Sequence, residues 1–251
     1  MGLPFLESLG RFTHFALRSL PATLLGVSRP REFCRQLYHI HVAALPLSLV
    51  AGLTLGVVLW LHLHRLLEQF GTGYAQLLPQ ALAVAVVWEL APMAAGFIVA
   101  GRTGASLGAE LGSMRLTEQI DALEVLGLSP LRQLVAPRVL ACMTALPLLT
   151  VEIAAVAIAG SYAAELMGGS MSLRLYWNET LRGLRLEDVM PAVLKTMVFG
   201  YLIGVTGCYF GMNASGGTEG VGRAATRSVV LSIYLVVVSN ALLVWATQLV
   251  Q

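Results

Sequence analysis

Two ionisable side chains stand in stretches that are otherwise apolar: Glu89, within VVWELAPMAAGF, and Lys195, within VLKTMVFGYL. A carboxylate and an ammonium can bind each other, trade a proton, or hold a polar ligand between them. Lys195 is the single lysine in 251 residues. A Walker A loop needs its lysine after a glycine-rich run, and Val193-Leu194-Lys195-Thr196 is not one. The chain is therefore not itself a P-loop ATPase, and any ATP it depends on is bound elsewhere. Other chemistries lack their residues. The histidines His39/His41 and His62/His64 flank one apolar run on opposite sides, too far apart to share a metal, and interfacial anchoring accounts for them better. No GxSxG, HExxH or cysteine–histidine constellation occurs. Cys34, Cys142 and Cys208 are odd in number and read as inert thiols rather than a disulfide framework. Nothing supports nucleic-acid binding.

The elements that must position Glu89 and Lys195 follow from composition. With 57% apolar and 12% charged residues and a mean hydropathy of +0.75, the chain reads as an all-α, polytopic membrane protein. The first 20 residues lack the uninterrupted apolar core of a cleavable signal. Phe5, Leu9, Phe12, Ala16 and Leu20 share one helical face, which predicts an N-terminal amphipathic helix. It either lies in the lipid interface or folds back as a plain hairpin. Arg29, Arg31 and Arg35 follow it as a basic elbow, so residues 1–40 form the pre-membrane part. Five apolar spans are expected over about 42–61, 82–104, 137–164, 189–212 and 228–250, each near the 20 residues a bilayer requires. Residues 42–250 thus form a five-span region, and the whole chain, 1–251, a single domain. The stretch 168–188 is expected to be a polar loop.

Eleven of the 16 basic residues fall in the N-terminal arm, the 102–138 connection and the 213–227 loop. The positive-inside rule puts the N-terminus and the 105–137 connection in the cytoplasm, and five spans then put the C-terminus on the opposite side. In this arrangement Glu89 lies about eight residues into the second span, roughly 12 Å. Lys195 enters to similar depth from the same side. A Glu89–Lys195 pair and two walls of one polar cavity both fit; so do a structural ion pair and a snorkelling lysine. Asn240, in the fifth span, is a weaker polar candidate, and Trp88 is an interface anchor or a lipid contact. Glu152 lies mid-span and ambiguous.

The second span runs into a ridge of small residues, Gly96, Ala100, Gly104, Gly108 and Gly112, spaced for close helix packing. Arg102 and Glu110 flank its inner end, either binding each other or lining an inner gate. The segment TEQIDALEVLG then predicts a short cytoplasmic helix at about 117–127. Thr117 is expected as N-cap, Glu118 and Asp121 sit near the positive end, Gly127 stops the helix, and Pro130 prevents its continuation. Ile120, Leu123 and Leu126 are expected on one face, with Glu118, Asp121 and Glu124 clustered nearby. By its residues alone this is a partner-docking helix or a self-packed loop helix.

Three stretches, ELAPMAAGFIVAGRTGASLGAELGSMRLTEQIDALEVLGLSP, RQLVAPRVLACMTALPLLT and GVGRAATRSVV, resemble the MlaE family of permeases, the membrane subunits of ABC-type lipid transporters that work with MCE-domain proteins. The resemblance covers about residues 33–250. It implies five spans with an interfacial helix and a homodimer in the bacterial inner membrane, N-terminus cytoplasmic and C-terminus periplasmic. It implies a separate cytoplasmic ABC ATPase that binds the ATP and magnesium, docked at a coupling helix matching Glu118, Asp121, Leu123, Glu124 and Leu126. A periplasmic MCE protein completes the system, and a small cytoplasmic STAS-type subunit fits it as well. The cargo implied is phospholipid or a related lipid moved between inner and outer membranes. Glu89 and Lys195 match positions lining the family's lipid cavity, and Asn240 a polar position in the last helix. Trp88 stands where some members have arginine, which points to a less anionic or more apolar lipid. Two other classes fit the Glu89–Lys195 combination taken alone: a membrane-embedded lipid-modifying enzyme using them as acid and base, and a proton-coupled transporter in which Glu89 titrates. The five-span count and the docking-type helix argue against both.

Overall fold

A computed structural model describes residues 2–25, 30–69, 77–169 and 171–250. Among them there is no strand, and the helices are α1 (Gly2–Leu25), α2 (Pro30–Glu68), α3 (Leu78–Leu116), α4 (Gln119–Val125), α5 (Leu131–Gly168), α6 (Leu173–Gly183), α7 (Leu186–Met212) and α8 (Gly217–Val250). The protein is a polytopic all-α membrane protein: five of these helices are long and apolar enough to span a bilayer, namely α2, α3, α5, α7 and α8. The chain forms two compact units, one from residues 1–43, 96–145 and 197–251, the other from 44–95 and 146–196.

In the first unit, glycines let helices touch backbone to backbone. The ridge of α3 lies on α8. Gly96 meets Val236, Gly104 meets Ser228 and Ser232, Gly108 meets the Ala224–Ala225 backbone, and Gly112 meets Val221. Ser228 Oγ donates to the Gly104 carbonyl at 2.8 Å, a polar tie between the two helices. Residues four apart drift by roughly 40° per step around an α-helix of 3.6 residues per turn, so a five-member ridge would rotate off its partner. A π-helical turn at Ala100–Gly104 holds one residue more than an α-turn and winds the ridge back. On α7, Gly200 and Gly204 receive α5 at Cys142 and Val139, while Gly207 and Gly211 receive α3 at Leu107 and Leu111.

Helix α1 docks on α7 in this unit. Phe12 and Phe15 pack edge-on against Tyr209, and Tyr201 donates from its hydroxyl to the Ala16 carbonyl at 2.6 Å. The inward residues are Phe12, Phe15, Ser19 and Ala22, whereas Leu20 is exposed and belongs to another face than the sequence predicts. The side chains of Phe5 and Leu9 lie outside the described residues, as does Arg29.

In the second unit, α2 and α5 approach through Gly52 and Gly160; a Cβ at Gly160 would stand 2.9 Å from the Leu53 carbonyl. Glu165, almost wholly buried, accepts from Trp60 Nε1 at 2.7 Å and from the Met171 amide at 3.1 Å. The stretch 168–188, expected as a polar loop, contains α6. Ser172 caps it by accepting from the Leu175 amide, and Tyr176 is buried in hydrogen-bond contact with Ser161 at 2.7 Å. Burial is the main cause that holds the Tyr176 phenol above its ordinary 10, keeping it neutral. Helix α8 begins at Gly217, where the sequence predicts loop until 228, and Glu219 and Arg223 pair at i,i+4 within the added turns.

The glycine contacts set a test. A Cβ at Gly200 would stand 2.5 Å from the Cys142 carbonyl, whereas one at Gly101 meets nothing within 4 Å. Gly200→Val should lower the thermal midpoint in detergent by several degrees, a cost of about 1–3 kcal/mol. Gly101→Ala should leave it unchanged or raise it slightly, since alanine is the better helix former. Equal effects of the two would contradict this packing.

Candidate functional site

The site forms within the second unit where α3 is irregular. Val86–Leu90 is a π-helical turn carrying both Trp88 and Glu89. Pro92 explains the local chemistry: it has no N–H to offer the Trp88 carbonyl four residues back. That carbonyl instead accepts from Lys195 Nζ at 2.6 Å, and the same ammonium donates to Glu89 Oε1 at 2.8 Å. The Lys195 side chain is only 9% exposed, whereas Glu89 is 42% exposed. The cation is thus covered by its two acceptors, and the carboxylate keeps an open face beside the indole of Trp88, which is 38% exposed.

An ammonium among apolar side chains must be neutralised or paired, and charge-assisted bonds to a carboxylate and a carbonyl do this without further ions. The arrangement can present a partly neutralised carboxylate to a polar group on a ligand, with apolar surface alongside. No cluster of three or more histidine, cysteine, aspartate or glutamate residues able to hold a metal occurs among the described residues.

The other candidates fall elsewhere. Asn240 is half-buried on α8 in the first unit, and Glu152 is half-buried on α5 in the second. Arg102 is exposed in the Ala100–Gly104 π turn. The expected Arg102–Glu110 pairing is corrected: eight residues put them about 12 Å apart along one helix, beyond reach. Glu110 binds Arg138 at 2.6 Å instead, and Arg138, 5% exposed, also donates to the Leu134 carbonyl.

Helix α4 is shorter than the expected 117–127. Thr117 is not its cap: its hydroxyl turns back to the Ser113 carbonyl, and Glu118 takes the N-cap position at φ 57° with no side-chain cap bond. Arg115 binds Asp121, which ties α4 to the end of α3. The C-terminus closes as expected, with Gly127 at φ 73°, its amide on the Glu124 carbonyl and the Leu128 amide on the Leu123 carbonyl. Pro130 opens the next helix rather than merely ending this one. Ile120, Leu123 and Leu126 do not share a buried face. Ile120 is buried, Leu123 half-buried, and Leu126 is 72% exposed beside an exposed Val125. The outer rim of α4, with Glu118 and Glu124 also exposed, is left open.

The family description "Permease MlaE" matches residues 33–246. The chain belongs to the MlaE permease family. It is similar to a probable ABC transporter permease protein of Rickettsia typhi, 32% identical over 241 residues, covering 96% of this chain and 92% of that protein. A probable ABC transporter permease protein of Synechocystis is also 32% identical, over 88% of this chain and 84% of its own length. The chloroplastic protein TRIGALACTOSYLDIACYLGLYCEROL 1 of Arabidopsis thaliana is 32% identical over 88% of this chain and 62% of that protein. The protein is thus a multi-pass membrane permease subunit of the ABC transporter kind.

Reasoning from sequence paired Glu89 with Lys195 as one option among several, and missed the Trp88 carbonyl. Its signal was present in Glu89-Leu90-Ala91-Pro92, where the proline opens the bond of residue 88. Glu165 was also missed, being near the expected end of a span with its partner Trp60 more than 100 residues away.

The pair predicts a stability pattern. Glu89→Leu leaves the buried Lys195 ammonium without its carboxylate and should cost about 3–5 kcal/mol, the range for breaking a buried pair. Glu89→Leu with Lys195→Met removes both charges and should recover most of that loss, as thermal melts in detergent would read. A double variant no more stable than the single would contradict a paired site.

Proposed function

We propose that this permease subunit moves phospholipid or a related lipid between the inner and outer membranes, as a homodimer powered by a separate ATPase and handing lipid to an MCE-domain protein. The observation that carries the reading is the Glu89–Lys195–Trp88 arrangement, a polar contact with apolar surface beside it on a membrane helix. Such a site suits an amphipathic cargo: a headgroup meets the carboxylate face and acyl chains meet the apolar walls. The name of the Arabidopsis relative contains a diacylglycerol galactolipid, which supports a glycerolipid cargo. Trp88 in place of a cation favours a lipid that is not strongly anionic.

The chain itself does no bond-breaking chemistry in this reading. Lys195 is held on two acceptors and serves poorly as a free acid or base, while ATP and its magnesium sit on the partner ATPase. That ATPase binds the exposed rim of α4, with Glu118, Glu124, Leu123 and Leu126 as contacts and Asp121 holding α4 through Arg115. ATP-driven closure of the ATPases pushes the two copies of α4. Because α3 is helical without interruption from Leu78 to Leu116, the push passes along the helix that carries Glu89. The Gly96, Gly104, Gly108 and Gly112 ridge is the sliding surface, with Arg102 at the inner gate and the Glu110–Arg138 pair bracing it. The N-terminus lies in the cytoplasm and the C-terminus in the periplasm, and a STAS-type subunit is compatible with the ATPase side.

The decisive experiment is purification of the tagged chain in gentle detergent, with mass spectrometry of co-purifying proteins and lipids. An ATPase, an MCE protein and a glycerolipid are expected, with the lipid lost from the stable Glu89→Leu, Lys195→Met chain. Chemically altered lipids made by the chain alone would overturn the reading in favour of an enzyme. The docking part has its own check: Leu126→Asp should cut ATPase recovery about tenfold or more, as loss of a central interface contact does, without lowering expression. Undiminished recovery would remove α4 from the interface.

A further inference from the structure

The first unit contains a groove of about 940 Å³, within the size range of ligand sites, that the Glu89–Lys195 site does not use. It opens between α1, the turn after α4, the end of α7 and the middle of α8. Three arginines from two helices converge on its lining: Arg11 and Arg18, two turns apart on α1, and Arg227 on α8. One carboxylate, Glu124, faces them. Arg11 also has a loose pair with Glu7 at 4.0 Å; both side chains are about 70% exposed, and such a pair holds little. The wall between the arginines is apolar, formed by Phe15, Tyr209 and Leu231. A second cavity of about 320 Å³ adjoins it and shares Phe210, Arg227 and Leu231, continuing along α8 past Val230 and Tyr234.

From this geometry we propose a second lipid site, for an anionic phospholipid of the leaflet on the α4 side. The arginines take the phosphate, the aromatic wall takes the glycerol region, and the adjoining apolar cavity takes acyl chain. Charge complementarity selects the headgroup, since basic clusters next to a span bind anionic lipids. The apolar continuation along α8, a bilayer-spanning helix, selects a lipid over a soluble phosphate or an acidic peptide. Because Glu124 lies in the last turn of α4 and lines this groove, an occupied site touches both α1 and α4. Lipid bound there holds the amphipathic helix and the turn after α4 together.

The test uses the full-length delipidated chain in maltoside detergent and native mass spectrometry. Dioleoyl phosphatidylglycerol and dioleoyl phosphatidylcholine are offered in equal amounts. The wild type should retain the anionic lipid by a factor of the order of ten. Arg11→Gln, Arg18→Gln and Arg227→Gln together should abolish that preference, and the triple lysine replacement should keep most of it and so control for folding. Glu89→Leu with Lys195→Met should leave the preference intact, which separates this site from the transport reading. Equal retention of both lipids by the wild type, or an undiminished preference in the triple glutamine chain, would overturn the proposal. So would displacement by millimolar inorganic phosphate, which would mark an anion site only. A triple variant that loses dimer mass and keeps its lipid would also overturn it, identifying the groove as a contact between copies.

Discussion

An ammonium held inside an apolar helix bundle needs acceptors, and here a proline provides one of them. Pro92 takes a hydrogen bond away from the α3 backbone, the Trp88 carbonyl is opened, and Lys195 reaches it together with Glu89. The π turn at Val86–Leu90, in which the Ala91 amide reaches back to the Val86 carbonyl, immediately precedes that proline. Every polar property of the site depends on this exchange of a backbone donor for a side-chain cation. Without the open carbonyl, the lysine would have one acceptor for three donors, at greater cost in a low-dielectric setting.

The same trade of regularity for contact recurs in the packing. Membrane helices gain little by hiding apolar surface from lipid, so they associate by close approach. Gly104, Gly108, Gly200 and Gly211 provide that approach, and the π turn at Ala100–Gly104 keeps the α3 ridge aimed at α8. Polar ties then mark the ends of the apolar stretches: Glu110 with Arg138 in one unit, Glu165 with Trp60 in the other. Each acid meets a donor from a distant stretch of chain, so each fixes a tertiary contact rather than a local one.

What could be read in advance follows from which interactions are local. The five long apolar helices were legible because span length and composition are properties of contiguous sequence, as were the glycine spacing and the Gly127 stop. Helix α6 was not, because at 11 residues with mixed charge it is indistinguishable from a polar loop until Tyr176 and Ser161 meet. The N-cap of α4 was misread because Thr117 had two backbone options and took the one behind it. Glu110 was offered Arg102 on its own helix as a partner, whereas Arg138, 28 residues on, is the one in reach. The π turn at Val86–Leu90 was invisible because a proline signals a missing bond but not what replaces it, and the one at Ala100–Gly104 has no proline to signal it.

Whether Pro92 creates the acceptor that seats Lys195 is decided by a high-resolution electron cryomicroscopy structure of the Pro92→Ala chain in lipid nanodiscs. The amide restored at position 92 should bond the Trp88 carbonyl, the 86–90 turn should tighten to α-helix, and Lys195 should retain Glu89 alone. A turn that stays π-helical, with Lys195 Nζ still within hydrogen-bond distance of the Trp88 carbonyl, would contradict that role for Pro92.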